Sequence, residues 1–206
     1  MNDQKLGNCL PLYLKNRLVL SALEDGDDIP GVESEDQKLL ASFRERSSDQ
    51  AVTLLEELYA ALLAATGPVP YRLDRRSQRR TVRDYWYMEG RIYRPRERTA
   101  RAFWNLFLGC LKDLGPAVVF ILGPQDFASP VAMDDLAAAA SSTLGVESAN
   151  PRHCFTHKTA YEAGVVAAQF SLNPAVTHSE VIRGLKSGIE LFFNKHKAQF
   201  EAALES

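Results

Sequence analysis

The amino-acid sequence predicts a mainly α-helical protein, a helical bundle in one or two lobes. Apolar residues recur at i, i+3 and i+4 in several segments, and four segments open with a capping box. Together the predicted helices cover about half of the chain, above the roughly one-third that is helical in an average globular protein. The expected exception is a short β-hairpin or an irregular arginine-rich connection near residues 70–98.

Three helices are predicted in the N-terminal third. Residues 11–23 are mostly apolar, with a loose helical periodicity, and form the first. Ser34 with Gln37 makes a capping box for a helix near 35–46, and Ser47 with Gln50 makes another. The helix that follows the second box has the clearest apolar stripe of this region: Ala51, Leu54, Leu55, Leu58, Tyr59, Leu62 and Leu63.

The middle of the chain interrupts this helical pattern. Aromatic-rich flanks at 85–88 and 91–93 surround Glu89-Gly90, which favours a short hairpin. Because Glu-Gly is a weaker turn sequence than Asn-Gly, a helix over 77–88 is the rival interpretation.

Helical order is predicted to resume after residue 101. A stripe with helical spacing runs from Ala102 to Leu114, whereas the six apolar residues 117–122 suit either a buried strand or a short helix. Ser129-Pro130 caps an alanine-rich helix over about 130–143. Thr159 with Glu162 opens a helix that extends to about Gln169. Thr177 with Glu180 opens the last and longest helix, with the stripe Val181, Ile182, Leu185, Ile189, Phe192, Phe193, His196 and Phe200.

This pattern divides the chain into a small helical lobe over 1–67, a connecting segment over 68–98 and a larger helical lobe over 99–206. One domain with a basic insertion is the alternative, because 206 residues fit either arrangement.

Charge is segregated along the chain, although the net charge is only -2. Residues 1–70 carry a net -6, residues 71–102 carry +7, and residues 103–206 carry -3. We call residues 71–102 the arginine block, because all of its basic residues are arginine: Arg72, Arg75, Arg76, Arg79, Arg80, Arg83, Arg91, Arg94, Arg96, Arg98 and Arg101. Arginine presents a planar fork that binds phosphate or carboxylate with two hydrogen bonds, which lysine does not.

Aromatic residues are interleaved with these arginines. Tyr85, Trp86, Tyr87 and Tyr93 are expected to stack on unpaired bases while the arginines neutralise phosphates. The sequence pI of about 6.1 argues against a uniformly basic nucleic-acid domain, so any phosphate site is confined to the arginine block. An acidic segment over 24–36 offers a complementary surface, either within the chain or on a second copy in a homo-oligomer.

The sequence contains no clear catalytic or cofactor motif. GxSxG, HExxH, a P-loop and GxGxxG are all missing. His153-Cys154-x-x-His157 groups three possible metal ligands without the second paired cluster that a zinc site usually needs, so a loop with a packed cysteine is the preferred interpretation. His196 is expected to be a satisfied core histidine, and His178 to be exposed. No catalytic residue, metal or cofactor is predicted, and enzyme activity is the third hypothesis.

These observations favour a nonenzymatic protein that binds RNA or another single strand through the arginine block. The alternative is a protein–protein interaction module, such as an adaptor, chaperone, immunity protein or regulator, that docks an acidic partner there. Because no apolar run approaches the roughly 20 residues of a membrane span and no secretory signal is visible, we expect no membrane partner. Three sparse cysteines suit a reducing, cytoplasmic or otherwise intracellular compartment.

Overall fold

A computed structural model describes residues 5–25, 34–63, 69–75, 80–82, 85–93, 98, 100, 102–124, 130–156 and 164–205. Helices and strands are both abundant in this part of the chain. The helices are α1 (Cys9–Asp25), α2 (Ser34–Leu62), α3 (Pro130–Leu144), α4 (Pro151–Cys154) and α5 (His178–Glu205). The strands are β1 (Arg72–Arg75), β2 (Arg80–Val82), β3 (Tyr85–Tyr93), β4 (Ala102–Leu111), β5 (Gly115–Pro124) and β6 (Val165–Ser171).

The six strands form one antiparallel sheet in the order β1-β3-β4-β5-β6. Strand β2 also pairs with β3, so β1 and β2 occupy the same edge of the sheet, side by side along the length of β3. Arg72 lies opposite Tyr93 at one end of β3, and Arg80 lies opposite Tyr87 near the other end. The described strands of the arginine block therefore lie at this edge of the sheet.

Helices α1, α2 and α5 pack on the same face of the sheet. The Trp104 ring of β4 stacks on Tyr59 of α2 at 5.5 Å, and the Trp86 ring of β3 lies 4.9 Å from Tyr13 of α1. On α5, a Cβ added at Gly184 would lie only 2.1 Å from the ring of Phe170 in β6. Buried residues from Leu6 to Ala203 join in one hydrophobic cluster between the sheet and these helices.

The predicted helical bundle is wrong, because the centre of the molecule is this antiparallel sheet. The segment 102–114, predicted as a helix, contains β4, which is buried at nine of its ten positions. A strand buried on both sides is apolar throughout, so its residues match a helical spacing without forming a helix. Residues 117–122 lie inside β5 and are a strand.

Two further predicted elements are corrected. Neither the hairpin around Glu89-Gly90 nor its helical rival exists, because β3 runs straight through both residues. Val165–Ser171 is a strand, where a helix to Gln169 was predicted, and the capping residues Thr159 and Glu162 lie outside the described residues. In each case pairing with neighbouring strands outweighs the local signal.

The helices are predicted more accurately than the strands. Helices α1, α3 and α5 confirm the predictions for 11–23, 130–143 and the last segment. The second and third predicted helices are instead one continuous helix, α2. Ser47 is not a cap but a mid-helix residue whose hydroxyl donates to the Phe43 carbonyl at 2.8 Å.

The capping box of α5 is present as predicted. The Thr177 backbone N–H donates to Oε2 of Glu180 at 2.7 Å, and the Glu180 N–H donates back to Oγ1 of Thr177 at 3.2 Å. The bond from the Thr177 backbone, together with the Thr177 hydroxyl, holds the pKa of Glu180 below its usual value. This box fixes the start of α5 directly after the turn that follows β6.

Candidate binding surface on the outer strands

Strand β3 has one face against the helices and one face turned away from them. Trp86 and Met88 are buried against the helices, and the Trp86 indole N–H donates to the Ser48 hydroxyl of α2 at 3.2 Å. The alternate residues Tyr87, Glu89 and Arg91 are half-buried. Since successive side chains of a strand point to opposite faces, these three lie on the face away from α2. We call this side of β1 and β3 the outer face.

Arg72 on β1 joins the outer face through its contact with Tyr93. The two residues are directly opposite in the register, and the guanidinium carbon of Arg72 lies 4.6 Å from the centroid of the Tyr93 ring. Such a cation–π contact contributes about 0.5–1 kcal/mol at an exposed site. Arg72 itself is exposed, so its charge is both oriented by the ring and accessible to a partner.

Arg91 is the second cation of the outer face, which also carries the acidic residues Asp74 and Glu89. Asp74 lies opposite Arg91 in the register, yet within the described part of the chain neither Arg91 nor Arg72 forms an ion pair. The Nε atom of Arg91 is buried and has no hydrogen-bond partner among the described residues. A buried donor without a partner costs about 1–3 kcal/mol.

The backbone beneath this surface is fixed by a close approach between three strands. The Trp104 indole N–H of β4 reaches across β3 and donates to the Asp74 carbonyl of β1 at 3.3 Å. Gly90 lies between them, and an added Cβ there would lie 1.8 Å from the Asp74 carbonyl and 2.6 Å from the indole nitrogen. Only glycine fits at this position. This explains why a glycine stands in the middle of β3, where the sequence predicts a turn.

The structure brings only part of the arginine block together. Arg72 and Arg91 share the outer face, Arg75 and Arg80 have their backbones in β1 and β2, and Arg98 is exposed after β3. Six arginines predicted to bind lie outside the described residues: Arg76, Arg79, Arg83, Arg94, Arg96 and Arg101.

The predicted stacking residues are not all at the surface. Trp86 and Tyr93 are only 6% and 8% exposed and belong to the core or its rim, so neither ring is free to stack on a base. Tyr87 is half-buried on the outer face, and of Tyr85 only the backbone, in β3, is described. Tyr71 of the same block donates its hydroxyl to Glu201 of α5 at 2.8 Å.

Sequence reasoning missed the roles of Trp104, Gly90 and Asp74 in positioning this surface. The available signal was the period-two alternation of β3, in which apolar residues at 86, 88 and 92 alternate with polar ones at 87, 89 and 91. The contact between Trp104 and Asp74 joins residues 30 positions apart, so no local pattern indicates it.

A small cavity lies at the opposite end of the sheet. It has a volume of about 330 Å³ and is lined by Lys112, Asp113, Glu147, Ser148, His153 and Cys154. Burial raises the pKa of the Cys154 thiol to about 12, so the thiol is protonated at neutral pH and is a poor nucleophile. No cluster of three metal-ligating side chains occurs among the described residues, and His157 lies outside them.

The two histidines of α5 are both buried. His196 confirms the prediction of a satisfied core histidine, because its Nε2 lies 2.8 Å from the Thr143 hydroxyl and its Nδ1 lies 2.7 Å from Oε1 of Gln199. The prediction that His178 is exposed is wrong. It is 4% exposed, and its Nδ1 lies 2.7 Å from Oε2 of Glu57 on α2, which reaches over the start of α5.

Fold and surface together define a class: an antiparallel sheet with helices α1, α2 and α5 on one face and, on the other side of its outer strands, a polar surface that carries Arg72, Asp74, Glu89 and Arg91. No protein family, curated protein or solved structure matches the chain. In the described part of the chain, no helix has both the length and the apolar character to cross a membrane. Residues 26–33 of the acidic segment lie outside the described residues, so a homo-oligomer through 24–36 stays a prediction.

Proposed function

We propose that this chain is a nonenzymatic protein-interaction module that docks an acidic protein partner on the outer face. The observation that carries the proposal is the half-buried Arg91 on the outer face, which forms no ion pair with a described residue. Arg72 lies one diagonal position away on β1, held over the Tyr93 ring. Two arginine forks on one face suit carboxylates, which each fork binds with two hydrogen bonds.

The burial of the aromatic rings favours a protein partner over a nucleic acid. Binding to a single strand draws about 1–3 kcal/mol per base from stacking on accessible rings. Trp86 and Tyr93 are covered by this chain's own residues, so two of the four predicted rings do not contribute. Carboxylate recognition needs the arginines but not the rings.

Single-stranded RNA is the second candidate. It is favoured by Tyr87 and Arg91, which lie on the same face of β3 two positions apart and would place one ring beside one cation. Each phosphate contact would contribute about -0.7 to the slope of log affinity against log salt. An intracellular compartment is part of both candidates, because Cys9, Cys110 and Cys154 are all free.

A fluorescence-anisotropy titration distinguishes the candidates. The probes are a labelled twelve-residue glutamate peptide and a labelled twelve-nucleotide oligouridylate, each titrated with the full chain at low salt and at four-fold higher salt. We expect the peptide to bind more tightly than the RNA. Arg72→Gln and Arg91→Gln should each weaken peptide binding about ten-fold, the scale of one lost charge-assisted contact.

Arg46→Gln is the matched control, because Arg46 is an exposed arginine on α2 far along the sequence from the outer face. Its peptide affinity should equal that of the unaltered chain. Tighter binding of the oligouridylate, lost in Tyr87→Ala, would favour the second candidate. Binding of neither probe at low salt would overturn both.

A further inference from the structure

We propose that two copies of this chain pair along the open edge formed by β1, antiparallel and with a two-fold axis at Leu73. Strand β1 is the last strand of the sheet, and among the described residues it pairs with β3 alone. An edge strand presents unpaired backbone N–H and C=O groups that a further strand can satisfy. The occupant is a second copy, so this pairing stands or falls without the acidic partner proposed above. Both interactions would use Arg72, and they are therefore tested in separate experiments.

The backbone of β1 offers the hydrogen bonds that this axis requires. The Asp74 carbonyl lies over Gly90 and accepts from the Trp104 indole, so it points toward the interior of the sheet. In an antiparallel ladder the N–H and C=O of one residue point the same way, and neighbouring residues alternate. Leu73 therefore directs both groups toward the open edge. At a two-fold axis through this residue, each copy would donate its Leu73 N–H to the carbonyl of the partner's Leu73.

The exposed side chains of β1 are complementary about the same axis. Arg72 and Asp74 are both exposed, one on each side of Leu73 in the strand. Pairing about Leu73 places Arg72 opposite the partner's Asp74, and Asp74 opposite the partner's Arg72. An axis at Arg72 or at Asp74 would instead place like charges opposite each other, which destabilises strand pairing. The charge pattern of β1 is therefore self-complementary, and it specifies the register of the second copy.

Strand β3 continues this alternation of charge on both sides of the axis. Tyr93 lies opposite Arg72, and Arg91 lies opposite Asp74, in the register of β1 with β3. In the described part of the chain, neither Arg72 nor Asp74 forms an ion pair. Across the pair, each row of the outer face would run from Arg91 to Asp74, then to the partner's Arg72 and the partner's Tyr93. The Asp74 carboxylate would thus lie between two guanidinium groups, one from each copy.

The pairing should be weak and reversible, because β1 comprises only four residues. Its inward residue, Leu73, is buried and apolar. Many edge strands are protected from pairing by an inward charge or a proline, and Leu73 provides neither. A short ladder of this kind buries little surface, so we expect half-dissociation near about 100 µM of chain.

Charge reversal about the axis tests the register. Sedimentation equilibrium of the full chain, from about 10 to about 500 µM, measures the dimer. Arg72→Asp alone and Asp74→Arg alone each place like charges opposite each other, so each should weaken the dimer at least about ten-fold. An equimolar mixture of the two variants restores opposite charges at both positions. The mixed dimer should therefore be at least about ten-fold tighter than the dimer of either variant.

Arg46→Asp is the matched control, because it makes the same change of charge as Arg72→Asp at an exposed position of α2. It should form a dimer as the unaltered chain does, and it should form no tight mixed dimer with Asp74→Arg. Arg72 and Asp74 are exposed, so both charge-reversal variants should keep the far-ultraviolet circular dichroism of the unaltered chain.

Hydrogen exchange measured residue by residue reports on the strand pairing itself. The outward Leu73 N–H is hydrogen-bonded only in the pair, so its exchange should slow about two-fold between about 30 and about 500 µM of chain. The Asp74 N–H faces β3 in either state, and its exchange should not change with concentration. In Asp74→Arg, the exchange of the Leu73 N–H should not depend on concentration.

Three results would overturn the pairing. The first is an unaltered chain that stays monomeric at about 500 µM, which would leave the edge to a different partner. The second is a dimer that persists in both charge-reversal variants, or a mixture that associates no more tightly than they do, which would place the contact elsewhere on the chain. The third is a dimer in which the exchange of the Leu73 N–H is unchanged. None of them decides whether the glutamate peptide binds, because no peptide is present.

Discussion

Strands β3 and β4 are neighbours in one sheet, yet their surroundings differ. Strand β4 is covered on both faces, by Tyr59 of α2 over Trp104 and by Phe155 over Phe107, whose rings lie 5.0 Å apart. Strand β3 is covered on the helix side alone, and its outer residues are half-buried. The strand with two covered faces belongs to the core, and the strand with one covered face keeps polar side chains on its other face, where we propose that a partner binds.

The largest expected effect is in β4. Trp104 is fully buried between Tyr59 and Phe120. Trp104→Ala should lower the free energy of unfolding by about 3–5 kcal/mol, because it removes a large buried side chain and leaves a cavity. Urea denaturation measures the change. The same truncation in β3, Tyr87→Ala, should cost less than half as much, and equal losses would contradict the difference between the two strands.

The next largest effect is expected at Gly90 of β3, over which the Trp104 side chain of β4 passes to reach Asp74. Gly90→Ala would press a methyl group against the Asp74 carbonyl and the Trp104 indole, so we expect a loss of about 1–3 kcal/mol in the free energy of unfolding. The tryptophan emission spectrum should shift as well, because the indole loses its hydrogen bond to Asp74. An unchanged spectrum together with unchanged stability would show that Gly90 has more space beside Asp74 and Trp104 than these distances allow.

On the outer face of β3, stability and binding should respond in opposite ways. Arg91→Met keeps the length of the side chain and removes a buried donor that has no partner among the described residues. The free energy of unfolding should stay within about 0.5 kcal/mol or rise, since a buried polar group without a partner is destabilising. Binding of the glutamate peptide should fall as in Arg91→Gln. A clear loss of stability would instead assign Arg91 a structural role.

The smallest expected effect is a difference in the reactivity of the cysteines near the covered end of β4. There, Thr156 donates its backbone N–H to the Cys110 carbonyl at 3.0 Å. Cys154 has a pKa of about 12, so at pH 8 roughly one thiol in ten thousand is ionised and reactive. Iodoacetamide should modify Cys9, which is half-buried, well before Cys110 or Cys154. The rate at Cys154 should rise with pH. Mass spectrometry of peptides checks the order, and early modification of Cys154 would show that this end of the sheet opens readily.

How much of the fold the sequence predicts depends on whether a signal is local. A capping signal spans three residues, so Ser34 and Thr177 predict from the local sequence that helices begin near 34 and 178. Ser47 gives the same signal inside α2 and fails, because burial of the helix face continues through it. Strands β4 to β6 carry apolar residues on both faces or lack a regular alternation of apolar and polar residues. The spacing of their apolar residues therefore does not distinguish a strand from a helix.

The candidate site was predicted in part. The concentration of arginine and aromatic residues in 71–102 is a property of composition, and the outer face on which we propose binding takes Arg72, Arg91 and Tyr87 from it. Which aromatic residues are accessible follows only once residues 85–93 are recognised as a strand, because Trp86 and Tyr87 are adjacent and both aromatic. They separate only when the pleat of β3 sends one toward α2 and the other outward.

The sequence by itself determined the capped start of α5, the segregation of charge and the choice of arginine as the cation. Each of these depends on residues close together in the chain or on counts alone. Tertiary structure decided that the apolar middle of the chain is a sheet, that Gly90 is a crossing point and not a turn, and that Arg91 shares a face with Arg72. Those outcomes depend on pairing between distant strands, whose hydrogen bonds and burial outweigh local preference only once the strands meet.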